Sequence, residues 1–339
     1  MNLQDNNINK ANYFGERKVM QKSWVKKGLI CGIILLFVGS GLVSGINNIK
    51  IISNKGGRGN TLYVGGSGPG NYTHIQDAID NAGDGDTVFV YTGTYHESLI
   101  IEKSLNLVGE NRTKTIVDSG HSTYVIDIFV CTAVSVRRFT IQNSSKNGIN
   151  SEAVEIELID NIVKNHGYVG ICLKNSSKTI VTNNIISQNE RGLCLCWGCC
   201  NSTVSFNIIE ENNYCAIYLY NSSNNRVVEN LFTNNEYGVV ISRSDHNNIT
   251  KNIFKYCNLC NIYLYHANDN RIMKNNFIDY RICALFSCCS NSWDANYWNG
   301  PRFLPKPIFG RIGQHGLIPW VNFDWHPVQE PYDIPRIAI

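Results

Sequence analysis

Gly170-Ile-Cys-Leu173, Gly192-Leu-Cys-Leu195, Ala216-Ile-Tyr-Leu219, Gly238-Val-Val-Ile241 and Asn261-Ile-Tyr-Leu264 each open a unit that recurs along the chain. Each opening is followed by a polar turn and then by Asn184-Ile-Ile186, Asn207-Ile-Ile209, Asn230-Leu-Phe232, Asn252-Ile-Phe254 or Asn276-Phe-Ile278. With Gly148 and Ala284, the openings stand at 148, 170, 192, 216, 238, 261 and 284, 22 to 24 residues apart. A fixed period in this range marks stacked supersecondary units, each touching only its neighbours along an axis. Two or three apolar alternations per period predict a coil of three short parallel strands. At a strand spacing of ~4.8 Å, about nine such coils make a rod roughly 45 Å long.

Alternation assigns the side chains to faces. Ile171/Leu173, Leu193/Leu195, Ile217/Leu219, Val239/Ile241 and Ile262/Leu264 point inward as aliphatic ladders. Asn184, Asn207, Asn230, Asn252 and Asn276 fall at one matching turn, where Asn accepts a left-handed backbone and can bond the next coil. Both ladders are scaffold. One outward row is Cys172, Cys194, Tyr218, Val240, Tyr263 and Phe286; the next is Lys174, Cys196, Tyr220, Ser242, Tyr265 and Cys288. Tyr218, Tyr220, Tyr263 and Tyr265, with Trp197 nearby, therefore share one elongated surface. Flat rings on a rigid face suit stacking against the apolar side of sugar rings, which makes a polysaccharide or cell-envelope glycan the expected partner. The competing expectation is that residues 299–339, an irregular tail rich in Pro and aromatics, pack over these rings.

The chain divides around this repeat. Residues 1–27 are polar and basic, and 28–46 carry no charge, with an apolar core at Leu29–Val38. A basic flank followed by an uncharged run directs everything after it across a membrane. The run serves either as a cleaved signal peptide or as a single transmembrane anchor. Residues 47–60 read as a linker, 61–298 as the repeat domain and 299–339 as the tail. An extracellular or cell-surface location follows. Seven Asn-X-Ser/Thr sequons are permitted there as acceptors, although Asn-Ser-Ser is also a natural turn. A net charge of +3 in a chain only 17% charged gives no basic field for nucleic acid.

Before the repeat, Thr61–Val64 reads as a strand. Thr73 is placed as the N-cap of a short capping helix through Ile75, Ala78, Ile79 and Ala82. Strand patterns follow at Thr87–Tyr91, Ser98–Ile101, Leu105–Val108, Thr115–Val117, Tyr124–Val130 and Val134–Ile141. A strand-and-helix plug covers the apolar interior that an end coil exposes.

Asn71-Tyr-Thr-His-Ile-Gln-Asp-Ala-Ile-Asp80, Gly85-Asp-Thr-Val-Phe-Val-Tyr-Thr-Gly-Thr-Tyr-His-Glu97 and Ser104-Leu-Asn-Leu-Val-Gly-Glu-Asn111 resemble the cap and first coils of pectin-lyase-like right-handed parallel β-helix proteins. The Asn-rich repeats resemble the NosD-type β-helix family and its archaeal cell-surface relatives. Trp293-Asp-Ala-Asn-Tyr-Trp-Asn-Gly300 is similar to the ends of those proteins. The resemblance implies an all-β, right-handed parallel β-helix. It implies no single activity, since this fold hosts lyases, hydrolases, adhesins and binding proteins.

Thirteen cysteines stand out, densest at Cys194-Leu-Cys196-Trp-Gly-Cys199-Cys200 with Cys172 one coil away. They are read as structural thiols or disulfides, or else as soft ligands for Cu(I) or zinc, copper being the metal that the NosD resemblance favours. Copper and calcium are the cofactor candidates beside none at all. The best titratable group is Arg243, Asp245, His246, His266 and Asp269, in which Arg243 stacks on His266 and His246 on Asp269 by repeat offset. It offers a cationic base for a polysaccharide lyase, but not the paired carboxylates of a hydrolase. Non-catalytic carbohydrate binding or an envelope role is the leading expectation. A lyase or hydrolase and a copper-handling accessory protein are the rivals.

Overall fold

The computed structural model describes residues 59–129, 133–278, 284–287, 290–312 and 316–334. The basic segment 1–27, the apolar run 28–46 and linker residues 47–58 lie outside them, as do Cys131, Cys283, Cys288 and Cys289. Among the described residues no helix is long and apolar enough to cross a membrane.

From Thr61 the chain winds as a parallel β-helix. In one coil, Glu155–Ile159 lies on a first face, Ile162–Lys164 on a second and Val169–Lys174 on a third. Each pairs in parallel with its equivalent one coil on: Leu158 with Val181, Val163 with Ile186 and Ile171 with Leu193. The second face carries ten strands, one coil more than the spacing of the openings suggests. Val134–Ile141, expected as one strand, is two, Ala133–Arg137 and Thr140–Gln142, parted by a corner where Arg138 has φ 67°.

Inside, the second face stacks Phe232, Phe254, Phe277 and Trp298, with ring centroids 4.9, 5.0 and 4.3 Å apart. The third face presents the predicted Ile/Leu/Val ladder, fully buried. At its last described coil the prediction slips by one residue. Leu264 pairs with Phe286, which is buried, and Tyr263 pairs with Leu285, so Leu285 takes the outward place expected for Phe286.

The corner between the first and second faces holds Asn161, Asn184, Asn207, Asn230, Asn252, Asn275 and Asn296, all buried. Each Nδ2 donates to the Oδ1 of the next Asn at 2.9 to 3.1 Å, and each backbone N–H donates to that same oxygen. Asn275 carries the ladder, not Asn276. Nor do these Asn supply the left-handed turn. The positive-φ residue is the one before each, among them Asn183, Phe206, Glu229, Lys251, Lys274 and Ala295. Such mixed residue types mean that the corner imposes the strained backbone, and the buried amides that satisfy it hold it there. The ladder ends on Asp324, whose Oδ2 accepts from Asn296 N, Asn296 Nδ2 and Trp298 Nε1, each at 2.9 Å.

A second ladder, Asn189–Asn212–Asn235, runs along the next corner and begins at His166. His166 is buried; its Nδ1 lies 2.8 Å from Ser144 Oγ and its Nε2 lies 3.2 Å from Ile141 O. Burial pushes its pKa down to about 4. A depressed histidine stabilises the fold above its unfolded value near 6.5, and that stability is lost as pH falls through about 4. The loss amounts to about 3 kcal/mol. His166→Asn, which continues the ladder, should flatten the stability profile between those pH values. Urea titrations at stepwise pH check this, and an unchanged acid slope in the variant removes the assignment.

At the N-terminal end the capping helix, Ile75–Asn81, buries Ile75, Ala78 and Ile79. Thr73 does not cap it. The N-cap position is His74, and the orphan N–H groups of Ile75 and Gln76 donate to the Glu97 carboxylate at 2.9 and 3.0 Å. A residue 22 positions away does the work expected of a local hydroxyl.

At the other end, the expected irregular tail contains regular structure. Lys306–Ile312 and Ile318–Asp324 form an antiparallel hairpin. Its first arm extends the third face through Phe286 and Gly310, and its second extends the first face through Trp293 and Asp324. The described chain beyond it lies along the second face. Tyr332 exchanges backbone bonds with the Asn276 side chain, and Ile334 packs against Leu231, Ile253 and Ile278. The described tail therefore does not cover the tyrosines of the third face.

Candidate functional site

Register fixes the outward rows of the third face. Cys172, Cys194, Tyr218, Val240 and Tyr263 are successive partners, as are Lys174, Cys196, Tyr220, Ser242 and Tyr265. These rows match the sequence expectation. A third row beside them, Val169, Arg191, Cys215, Tyr237 and Cys260, does not follow from simple alternation. Gly192 explains it. A Cβ there would lie 2.6 Å from both Ala216 O and Ile209 Cγ2, so its side-chain direction faces the packed interior corner. The strict two-residue period breaks at this glycine, and Arg191 emerges outside.

Arg191 organises the face. Its guanidinium carbon lies 4.9 Å from the Tyr168 ring centroid and 5.2 Å from those of Tyr214 and Tyr218. Its Nη1 donates to Tyr168 Oη at 2.6 Å. No ion pair neutralises it among the described residues. Ring contacts continue on both sides. Tyr218 stacks with Tyr220 at 5.9 Å and Tyr220 meets Trp197 edge-on at 4.9 Å; Tyr214 touches Tyr237 at 5.3 Å, and Tyr237 touches Tyr263 at 6.2 Å. Tyr265 reaches the His266 ring at 4.3 Å. The result is a paved strip across five coils, with a fixed cation at its centre. Trp197, 54% exposed, marks its outer edge. Burial pushes the Tyr218 phenol up to about 12 and raises Tyr168, Tyr214 and Tyr237, so these hydroxyls stay protonated donors at neutral pH. Tyr168, Arg191, Tyr214 and Tyr237 were not anticipated. The available signal was their place just ahead of the unit openings.

Under the strip lie thiols. Cys172, Cys194, Cys196, Cys199, Cys200 and Cys215 are free thiols. Burial pushes Cys172 and Cys215 up to about 12 and Cys199 to about 11. Cys194 is raised by its hydrogen bond to Cys196 and then by burial. Cys196 is held low, first by that same bond from Cys194 and, against its burial, by the cations of Arg191 and Lys174. Iodoacetamide applied to the native protein at neutral pH should therefore label Cys196 ahead of Cys172, Cys194, Cys199 and Cys215. Peptide mass spectrometry gives the order, and early label on Cys172 or Cys215 contradicts it.

Arg243, Asp245, His246, His266 and Asp269 fall on the turn between the third and first faces. The backbone bonds Arg243 N to Tyr265 O and His246 N to Asn268 O place them in the predicted stacks. Arg243, His246, His266 and Asp269 are exposed. Asp245 Oδ1 is engaged by the Asn268 backbone N–H at 2.6 Å. Among the described residues no ion pair joins any of the five to another. The repeat aligns them without bringing them into a working pair.

Over residues 79–308 the chain matches a family model described as "Periplasmic copper-binding protein (NosD)". It belongs to the NosD family. A search of curated proteins finds no match. Among solved structures, this NosD-family chain resembles DFA-IIIase from Arthrobacter chlorophenolicus A6, determined without its lid in complex with GF2. Identity is 12%, the TM-score is 0.50, and the match covers 71% of this chain and 88% of that one. It also resembles the Azotobacter vinelandii mannuronan C-5 epimerase AlgE6 A-module, at 13% identity and a TM-score of 0.47, covering 76% and 95%. An alginate lyase from a Paenibacillus species matches at 13% identity and a TM-score of 0.40, covering 71% and 98%. At such identities the likeness is one of fold, the pectin-lyase-like parallel β-helix.

The family description raises copper, and the donor set can be tested against it. Among the described residues no three His, Cys, Asp or Glu side chains are grouped to hold a metal ion. Thiols pushed up to about 12 also stay protonated at neutral pH, which opposes the thiolate form a soft metal binds. Among the described residues Cys172, Cys194, Cys196, Cys199 and Cys200 are thus not gathered as a set of three metal ligands, although Cys196 is held low.

Proposed function

We propose that this NosD-family chain is an exported cell-surface protein that binds carbohydrate, without catalysis, along the tyrosine strip of its third face. The observation that carries the proposal is the unbroken series of ring contacts from Trp197 through Tyr218 and Arg191 to Tyr263. A pyranose ring has one face of C–H groups, which packs on aromatic carbon, and a rim of hydroxyls, which bond to phenols and guanidinium. A rigid solenoid presents such contacts at the ~4.8 Å coil spacing, so successive sugars of an extended chain meet them without the strip reorganising. Export is supported by the basic flank and uncharged run at 28–46 and by the periplasmic description of the family.

Retention on a panel of immobilised polysaccharides tests the proposal. The wild-type chain should be retained on at least one of them and Tyr218→Ala/Tyr263→Ala should not, with both folded by circular dichroism. A folded double variant retained as well as the wild type removes the strip as the binding surface. The enzymatic rival is separated by assaying the same polysaccharides for new reducing ends or unsaturated uronates, which His266→Ala would abolish.

A further inference from the structure

The C-terminal hairpin caps the stack with one face and leaves the other bare. Ile308 belongs to the capping side and is buried in the core. On the opposite side, the cross-strand pairs Phe309 with Val321, Pro307 with Phe323 and Arg311 with Pro319 bring apolar groups and one cation together. Trp325 continues this side, its ring 5.0 Å from Phe323. Phe309 and Trp325 are 61% and 62% exposed, and the flanking Phe303, Leu304 and Leu317 reach 90%, 76% and 76%. Two turns of protruding aliphatic and aromatic side chains thus frame an exposed apolar sheet, well beyond the scattered apolar residues of an ordinary surface.

Charge decides what this surface suits. Between Pro301 and His326 the cations are Arg302, Lys306 and Arg311, and the sole carboxylate is Asp324. Asp324 is buried and spent on Asn296, Trp298 and the His326 N–H. Lys306 is turned to the capping side, its Nζ 5.7 Å from the Trp298 ring, so Arg302 and Arg311 are the cations beside the apolar patch, and Asp294 at its edge is taken up by His326 at 2.7 Å. A second copy docking face to face would set those cations against their own counterparts. Side chains exposed to 76% and more also stand proud of the sheet, which suits penetration better than flat protein contact. Trp and Phe beside Arg are the chemistry of the bilayer interface, where rings sit at headgroup depth and cations meet anionic lipid.

We propose that the exposed face of hairpin 306–324, with Phe303, Leu304 and Trp325, docks on an anionic lipid surface. The hairpin lies at the far end of the repeat from the strand-and-helix cap, and its exposed face is separate from the tyrosine strip.

The test uses the full chain carrying Trp24→Phe, which removes the tryptophan next to the apolar run, and vesicles of phosphatidylcholine with phosphatidylglycerol brominated in the acyl chains. Tryptophan emission should be quenched relative to unbrominated vesicles. Adding Trp320→Phe/Trp325→Phe should abolish the quenching. Arg311→Glu should weaken vesicle binding at least tenfold, as should replacing phosphatidylglycerol by phosphatidylcholine. Circular dichroism and the unfolding midpoint confirm that each variant folds. Equal emission with and without bromine overturns the proposal, as does quenching that persists without Trp320 and Trp325. A concentration-dependent dimer that Phe309→Ser dissolves, with no quenching, overturns it in favour of a contact between copies.

Discussion

Asn230→Ala should lower the free energy of unfolding by about 4 kcal/mol, the largest effect expected of any single substitution outside the aliphatic core. The Asn230 Nδ2 donates to Val204 O at 2.9 Å, Val228 O at 3.1 Å and Asn252 Oδ1 at 3.0 Å. Its Oδ1 accepts from the Asn207 backbone N–H and Nδ2 at 3.0 and 2.9 Å. Alanine removes all five bonds from a corner that water does not reach. Each orphaned group costs ~1–3 kcal/mol, and those that keep a second partner cost less than that, so the five losses together come to about 4 kcal/mol. Because each coil is held only by its neighbours, a defect here weakens the interface on both sides. Asn230→Asp should be no milder, since it turns an acceptor toward the Val204 and Val228 carbonyls where a donor was. Asn213→Ala, at an exposed corner one coil earlier, is the control and should change stability by under ~0.5 kcal/mol. Guanidinium midpoints read the difference. Equal losses at 213 and 230 would show that composition, and not the buried ladder, sets the stability.

The second large effect concerns binding. Tyr218→Ala/Tyr263→Ala should reduce affinity for a retained polysaccharide by on the order of 100-fold, about 3 kcal/mol, because each ring contributes both buried area and a directed contact. Both rings sit outside the barrel wall, so the interior ladders through Leu219 and Leu264 remain intact. Arg191→Gln should act on the same strip from within, releasing three rings that the guanidinium holds at 4.9 to 5.2 Å. Tyr256→Ala removes a ring of similar size, 57% exposed and lying on a different corner, and should leave retention unchanged. Surface plasmon resonance on the same immobilised glycan compares the four proteins. A loss at Tyr256 as large as at Tyr218 and Tyr263 means that aromatic content, not the strip, governs retention.

Much of this architecture is legible in the chain because the repeat writes each element many times. The positions of Ile171, Leu193, Ile217, Val239 and Ile262 are tied by a fixed offset, so one correct inward assignment orients every coil. The same logic placed Tyr218 and Tyr263 in one outward row. It failed where local geometry departs from strict alternation. Gly192 and Gly238 face the inner corner, and the shift they introduce hid Arg191 and Tyr237 from any count by twos, while Tyr214 lies just before its strand. It also failed at Asn275 and Asn276, adjacent residues of one type that differ only in which side of the corner they occupy.

The sequence alone determined the period, the parallel stacking of three short strands per coil, the inward ladders and the membership of the tyrosine row, since all four follow from the spacing of apolar and polar residues. Only the tertiary structure decided which contacts cross between distant segments. Glu97 caps the helix at Ile75, Asp324 ends the Asn ladder, and the described tail from Val328 to Ile334 lies on the second face and not on the third. Each depends on how far the chain has wound before it returns, a sum over many corners that no local pattern records.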